Sequence, residues 1–584
     1  MRSDVSPRLE VKSAVAKYKS AFASVAISSA ILNILLLGGS LYMMLVYDSV
    51  LPSRSVPTLV GLFMMIIGVY LFQGFLGGLR SRILADVAAG VDQSLSLRVQ
   101  QAVADARLRG ERLPGDGLGA MRDVDSLRNF LGGSGPIALI DTPWMLLFLG
   151  ALFLLHPILG VTALAGALVL IGLAFLTDRV SRAPSEQLSR LGAMRNSAAE
   201  TNLRHAELLS ALGMRDRFVR RWASRNEAYL TAHNQLSGVT EMVSGASRVF
   251  RMFLQSGLLS VGALLVIDGK ATGGVIFASS LLSSRALAPV EQVIANWRGY
   301  LAARMGWTRI EDLLARYSSD GIERVALPRP FATLSVEDLR VTPPGAERLT
   351  VDGADFRLSA GDALGIVGPS AAGKSSLARA LVGVWRAQSG AVRLDGATLD
   401  QWRGEDLGRH IGYLPQTVEL LEGSVAENIA RFEEKPDAEA LIAAAKAAGV
   451  HDMIVGLPFG YQTPVGPGGA ELSGGQRQRI GLARALYGDP FLVLLDEPNA
   501  NLDPDGERAL DGAIAGIRAR GGIVVVIAHR PSALAHVDQV LVMRDGKVET
   551  IADRDEILAQ IAPGYRLPPR APSAHRSAPQ DVAA

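Results

Sequence analysis

The chain has 584 residues, more than one hydrophobic core usually organises, so two or more domains are expected. Its 59 Lys and Arg against 57 Asp and Glu leave a net charge of +2, too small to point to nucleic acid as a partner. It has no cysteine, which excludes structural disulfides, thiolate nucleophiles and cysteine-ligated zinc.

Residues 1–19 form a leader carrying Arg2, Arg8, Lys12, Lys17 and Lys19. The stretches Ser20 to Tyr47 and Ser55 to Leu79 are uncharged and exceed the roughly 20 residues a helix needs to cross the hydrocarbon core. The polar link between them, from Asp48 to Ser55, predicts a hairpin. Thr142 to Thr177 is again uncharged but is broken at His156-Pro157, which predicts a second hairpin. Met252 to Ile267 and Ala271 to Ser284 are shorter and flanked by Arg248, Arg251 and Arg285, so a soluble reading stays open for them. A third hairpin turning at Asp268-Gly269-Lys270 is preferred, with Arg285 facing inward or snorkelling, because a lipid-facing charge near mid-bilayer is costly. That makes six spans.

Arginine and lysine cluster in the leader and at Arg80, Arg82 and Arg98, while the proposed outer turns hold Arg54 and Lys270. The positive-inside rule therefore places the N-terminus and the long loops in the cytoplasm. A cleavable signal peptide does not suit so long an apolar segment followed at once by a second span. The charged segments 80–135 and 178–248 read as cytoplasmic extensions of the membrane helices, Ser185 to Asn202 among them. They bend near Leu113 to Arg122 and Glu207 to Arg217.

Chemistry concentrates in the second half. Leu364 to Val367 reads as a buried strand running into Gly368-Pro369-Ser370-Ala371-Ala372-Gly373-Lys374-Ser375, and the run from Ser375 and Ser376 to Val384 as a helix. Backbone amides of such a loop cradle phosphate oxygens at a helix N-terminus. Lys374 neutralises the β- and γ-phosphates, and the Ser375 hydroxyl suits Mg²⁺. Phe491 to Asp496 is an apolar strand ending in an acid fit for the Mg²⁺ shell, and a second acid, Glu497, follows it directly. Between them lies Leu472-Ser473-Gly474-Gly475-Gln476, ahead of a helix expected from Gln478 to Leu486.

A phosphate loop, an LSGGQ pentapeptide and a following Walker B strand together resemble the ATP-binding-cassette (ABC) proteins over Ser335 to Ile561. The resemblance implies an all-α transmembrane domain of six helices, as in type I ABC exporters, at 20–318, a linker at 319–334, an α/β P-loop nucleotide-binding domain at 335–561, and a disordered tail at 562–584. It casts Glu497 as the general base that orients the attacking water, Gln416 as the Q-loop residue that contacts metal and water, His529 as the switch histidine at the γ-phosphate, and Ala500 to Asp503 as the D-loop. It further implies a homodimer in which Ser473, Gly474, Gly475 and Gln476 close over ATP and Mg²⁺ held by the other subunit, and helix bends that dock on the ATPase domain. Two departures stand out. Arg340 to Pro344 lacks the aromatic residue that often stacks on adenine, and Pro467 stands where many exporters have glutamate.

Leu41 to Leu59, Asp141-Thr-Pro-Trp144 and Ala288 to Trp297 look like the permease/ATPase of type I secretion systems, in the alkaline-protease and S-layer subtype. That likeness implies ATP-driven export of an unfolded polypeptide bearing an uncleaved C-terminal signal, as in Ca²⁺-binding repeat proteases. A periplasmic membrane-fusion adaptor and an outer-membrane TolC-like channel complete the conduit, in an inner membrane whose lipids surround the spans. Some relatives add an N-terminal cysteine peptidase, for which the leader is too short and the cysteines are missing. Asp141, Arg248, Arg251 and Arg285 are candidates to line a polar cargo path or, equally, to anchor helix ends. The competing expectations are a lipid or drug half-exporter and a non-transporting regulatory ABC ATPase.

Overall fold

The computed structural model describes residues 14–111, 113, 117–317, 326–466, 469, 471–500 and 502–561. Arg2, Arg8, Lys12, Pro467, Asn501, much of the 319–334 linker and the 562–584 tail lie outside them. The chain divides into two compact units, one helical and one α/β, the second comprising Leu108–Glu111 and the described residues from 326 onward.

In the helical unit, α1 (Lys19–Leu45) continues through a π-helical turn, Val46–Val50, to Ser53. The chain then reverses at Arg54, in the left-handed region at φ 51°, and α2 (Val56–Leu108) begins. The expected link from Asp48 to Ser55 thus shrinks to two residues, because Asp48 is used as a cap rather than as a turn. Its carboxylate accepts hydrogen bonds from the Gly274 amide at 2.7 Å and the Thr272 hydroxyl at 2.6 Å, at the start of another helix. A Cβ at Gly274 would collide with that carboxylate. Tyr47 stacks on Phe277 one turn further along, with ring centroids 4.1 Å apart.

Next come α3 (Leu118–Leu131), α4 (Ser134–Asp141) and α5 (Met145–Leu155). The last ends at His156, whose extended backbone (φ −164°, ψ 134°) is the conformation a following proline imposes. Pro157 opens α6 (Pro157–Arg204), where its missing N–H costs nothing. A short α7 (Ala206–Ala211) leads into α8 (Arg215–Ile267), α9 (Gly273–Ala295) and α10 (Trp297–Arg316). Among the described residues six helices are long and apolar enough to cross a membrane, and Arg215–Ile267 and Gly273–Ala295 are two of them. The uncharged run before Ile267 is short because Arg248 and Arg251 interrupt a single continuous helix.

Two apolar cores hold this unit. Phe148, Leu152, Leu159, Leu258 and Leu287 fill one, and Val91, Val99, Leu127, Ile310 and Leu314 fill the other. Charges inside it are paired. Arg80 Nη1 donates to Asp141 Oδ2 at 3.0 Å and to Ser29 Oγ at 2.7 Å, while Asn33 Nδ2 reaches Asp141 Oδ1 at 3.2 Å, tying α1, α2 and α4 together. Arg251 Nε donates to Glu291 Oε1 at 2.7 Å, joining α8 to α9. Arg248 and Arg285 are exposed on the single chain.

The α/β unit has an antiparallel sheet in the order β2-β1-β4-β5, built from β1 (Thr333–Val341), β2 (Val351–Ser359), β4 (Ser389–Leu394) and β5 (Ala397–Thr398). A six-stranded sheet has the order β12-β11-β3-β10-β9-β6. Its members are β3 (Ala363–Val367), β6 (Ile411–Leu414), β9 (Leu492–Asp496), β10 (Ile523–Ile527), β11 (Gln539–Arg544) and β12 (Lys547–Asp553). Neighbours pair in parallel except for the antiparallel edge strand β12. Every residue of β9 and β10 is buried, which explains their unbroken apolar sequence. Between β6 and β9 a two-residue ladder pairs β7 (Gly423–Ser424) with β8 (Pro464–Val465).

Candidate nucleotide site

Three neighbouring parallel strands end at one edge of the sheet and deliver three polar side chains. Leu414 of β6 pairs with Leu495 of β9, and Asp496 of β9 pairs with Ile527 of β10, so the residues just beyond each strand emerge side by side. The Glu497 amide donates to the Ile527 carbonyl at 3.0 Å, extending the ladder by one step. Glu497 Oε2 accepts from Gln416 Nε2 at 3.1 Å, and Glu497 Oε1 lies 2.9 Å from His529 Nε2. Glu497 achieves this in the left-handed region at φ 51°, a conformation that costs a non-glycine residue about 1–3 kcal/mol and is typical of functional sites.

Strand β3, beside β10, opens into the phosphate loop. Helix α11 (Lys374–Leu381) follows Gly373, which has φ 100° and passes so close to the Thr350 carbonyl that a Cβ would collide. The helix stops three residues before Val384, the expected end, because the Gly383 amide bonds back to Ala380 and that of Val384 to Arg379. Lys374 is buried, and its ammonium donates to the Gly368 and Pro369 carbonyls at 2.8 and 2.9 Å. Burial lowers its pKa, opposed by the negative charges of Glu497 and Asp496.

Asp496 lies beneath this loop, only 2% exposed. Burial and the neighbouring Glu497 charge raise its pKa, against a hydrogen bond from Ser375 and the fields of Arg379 and Lys374. Its Oδ1 has no hydrogen-bond partner among the described residues. A buried carboxylate oxygen left bare beside a hydroxyl suits a hard cation, which takes oxygen ligands and leaves positions for phosphate and water. The described residues hold no cluster of three His, Cys, Asp or Glu. Ser375, Asp496 and Gln416 therefore fit Mg²⁺ that is shared with nucleotide oxygens rather than caged by protein alone.

The signature segment differs from expectation in its start. Helix α12 (Gly474–Leu486) begins four residues before Gln478, because Ser473 caps it and Gln476 closes a capping box. Ser473 N donates to Gln476 Oε1 at 2.8 Å and Ser473 Oγ accepts from Gln476 N at 3.3 Å. Gly474, Gly475 and Gln476 thus form the first turn; the Gln476 amide is taken by the Ser473 cap, and those of Gly474 and Gly475 have no partner within the helix and suit an anion. Asp503 caps the helix Pro504–Ala519 through the Gly506 amide and lies 3.5 Å from Arg479. The sequence alone assigns no contact to Gln478 or Arg479. Gln478 Nε2 donates to the Pro498 carbonyl at 3.2 Å, fixing the segment after Glu497 to the signature helix.

At the end of β1, Thr342 bonds Gln388 at 2.7 Å, and no aromatic side chain occupies 340–344. The ABC transporter family matches residues 351–500, and the ABC transporter transmembrane region matches residues 22–290. The type I secretion system ATP-binding protein PrsD of Rhizobium meliloti is 49% identical over 544 residues, covering 93% of each chain.

This chain belongs to the type I secretion ABC transporters.

As a member of that family it is a multi-pass membrane protein that binds ATP and couples its hydrolysis to transport. More distant type I secretion transporters include the toxin RTX-I translocation ATP-binding protein of Actinobacillus pleuropneumoniae, 28% identical over 94% of this chain and 77% of that one. The fold is also that of a bacterial Atm1-family ABC exporter solved with ATP bound, with a TM-score of 0.81 at 22% identity over 93% of this chain and 97% of the other.

Proposed function

We propose that this transporter exports unfolded polypeptides carrying an uncleaved C-terminal signal, working as a homodimer in the bacterial inner membrane. Its N-terminus and ATPase unit face the cytoplasm, and a periplasmic adaptor and an outer-membrane channel complete the conduit. The names of its relatives, a type I secretion ATP-binding protein and RTX toxin and cyclolysin translocators, support the cargo class.

The observation that carries the chemistry is Glu497, held between Gln416 and His529 with the bare oxygen of Asp496 behind it. In this reading Gly368 to Ser376 cradle the phosphates and Lys374 exchanges its two carbonyl partners for phosphate oxygens. Ser375, Gln416 and Asp496 would hold Mg²⁺, which when bound neutralises phosphate charge. Glu497 accepts the proton of the attacking water, Gln416 orients that water, and His529 donates to the γ-phosphate. The Ser473 hydroxyl and the amides of Gly474 and Gly475, on the turn that Gln476 closes, face the partner's nucleotide, with Asp503 beside the seam. Binding energy drives the cassettes together only to the extent that the closed pair holds ATP more tightly than the open one. Hydrolysis resets them.

Replacing Glu497 by Gln keeps shape and hydrogen bonds but removes the base. ATP binding should persist, closed dimers should accumulate, and turnover should fall about 10²–10⁴-fold. Near-normal ATPase activity in this variant would remove the assignment.

A further inference from the structure

Arg431 takes no part in the chemistry above, yet its placement is specific. It follows the short helix Val425–Ile429 and, with Phe432, sits in the left-handed region, at φ 55° and 59°. Two consecutive non-glycine residues there are strained and persist only where their surroundings hold them. The turn sends the guanidinium inward, where all four of its hydrogen-bonded acceptors are main-chain carbonyls. Nε donates to Arg484 O at 3.0 Å and Nη2 to Ala485 O at 3.2 Å, while Nη1 donates to Ile411 O at 3.2 Å and also to Gly408 O.

These carbonyls belong to two helix ends. Arg484 and Ala485 lie in the last turn of α12, and Gly408 in the last turn of the helix Gly404–His410, whose C-cap, Ile411, begins β6. Helix C-termini carry orphan carbonyls and partial negative charge, so they help compensate the cation, alongside the field of the Glu433 carboxylate. Backbone packing reinforces the junction, for a Cβ at Gly412 would collide with the Ala485 carbonyl. Strand β6 leads directly to Gln416, and α12 starts at the Ser473 cap.

We infer that Arg431 is a positioning residue for ATP hydrolysis, bolting the strand that presents Gln416 to the far end of the helix that presents Ser473. The glutamine of a chain's own site and the lid it offers its partner then move as one body. The lid half of this statement rests on the homodimer reading proposed above.

Lysine cannot substitute, because a compact ammonium with three donors does not span four carbonyls on two elements. The test uses full-length transporter in lipid nanodiscs carrying R431K or R431M, with turnover normalised to folded protein, ATP binding and thermal midpoint measured together. A positioning role predicts kcat at least about tenfold lower, with ATP binding within about threefold of the parent because the phosphate loop is untouched. A lowered midpoint with kcat per folded molecule within about twofold of the parent would overturn the inference, as would parallel loss of binding and turnover. In the E497Q background, R431K should reduce the fraction of nucleotide-trapped dimer, and trapping equal to E497Q alone counts against the inference. If E497Q itself traps no dimer, the homodimer reading fails instead, and the kcat comparison decides the role of Arg431.

Discussion

Asp141 in the helical unit and Asp496 in the α/β unit are both largely withdrawn from solvent, yet their surroundings differ in the one respect that separates scaffold from site. Asp141 has a partner for each carboxylate oxygen, from Arg80 and Asn33. Asp496 keeps Oδ1 bare. An ion paired through both oxygens ties elements together, whereas the bare oxygen of Asp496, beside the Ser375 hydroxyl and the phosphate loop, is placed to take a ligand.

The largest effect that could break this comparison is at Asp496. D496N removes a penalised buried charge, so the ligand-free protein should keep or gain thermal stability while Mg²⁺-dependent hydrolysis drops at least about a hundredfold. A measured loss of stability with turnover intact would make Asp496 scaffold, like Asp141. Replacing one partner of the helical pair should do the reverse. R80M or D141N strands a charge and should cost about 3–5 kcal/mol, read as faster thermal inactivation in nanodiscs, whereas the double variant should recover part of that loss. Single variants as stable as the parent would show that the pair holds nothing together.

A smaller effect sharpens the same contrast at Asp48. D48A removes the cap of α9 and should cost about 1 kcal/mol. G274A should cost more, since the new methyl strikes the Asp48 carboxylate, and D48A/G274A should cost less than the sum of the two singles. Additive losses in the midpoints would mean that the two residues do not meet.

How much could be read from the chain follows from the range of the forces involved. The strands β3 and β9 are legible because a buried parallel strand must be apolar throughout, and the loop after β3 because phosphate chemistry demands Gly, Lys and Ser at fixed spacing. The His156-Pro157 break was legible because a proline acts on its immediate neighbour. The role of Asp48 was not, since its partners Thr272 and Gly274 lie more than two hundred residues away and a polar residue after an apolar run looks like a turn. Asp141 stands out in the sequence, but its pairing with Arg80 and Asn33 does not. A signal existed, in that one span ends on a cation and a later one begins near an anion. The start of α12 was misread because its glycines look like a loop, although Ser473 with Gln476 three residues on is itself a capping signature. Arg431 carried no sequence signal, because its acceptors are backbone carbonyls available in any sequence.

The smallest effect concerns pH. The folded pKa of Asp496 lies above its ordinary value because burial and Glu497 disfavour the charged form. For a carboxylate raised in this way, its relative contribution to ligand-free stability is fully present below the unfolded pKa and is lost as pH rises through the folded one. Mg²⁺ requires the ionised form, so proton and metal compete for the same oxygen. The rise in thermal midpoint produced by Mg²⁺ with a non-hydrolysable ATP analogue should therefore shrink as pH falls through the folded pKa of Asp496, and the Mg²⁺-specific part of that trend should vanish in D496N. An increment that stays constant with pH in the parent would mean that Asp496 is not where the metal binds, and its bare oxygen would lose the meaning given to it here.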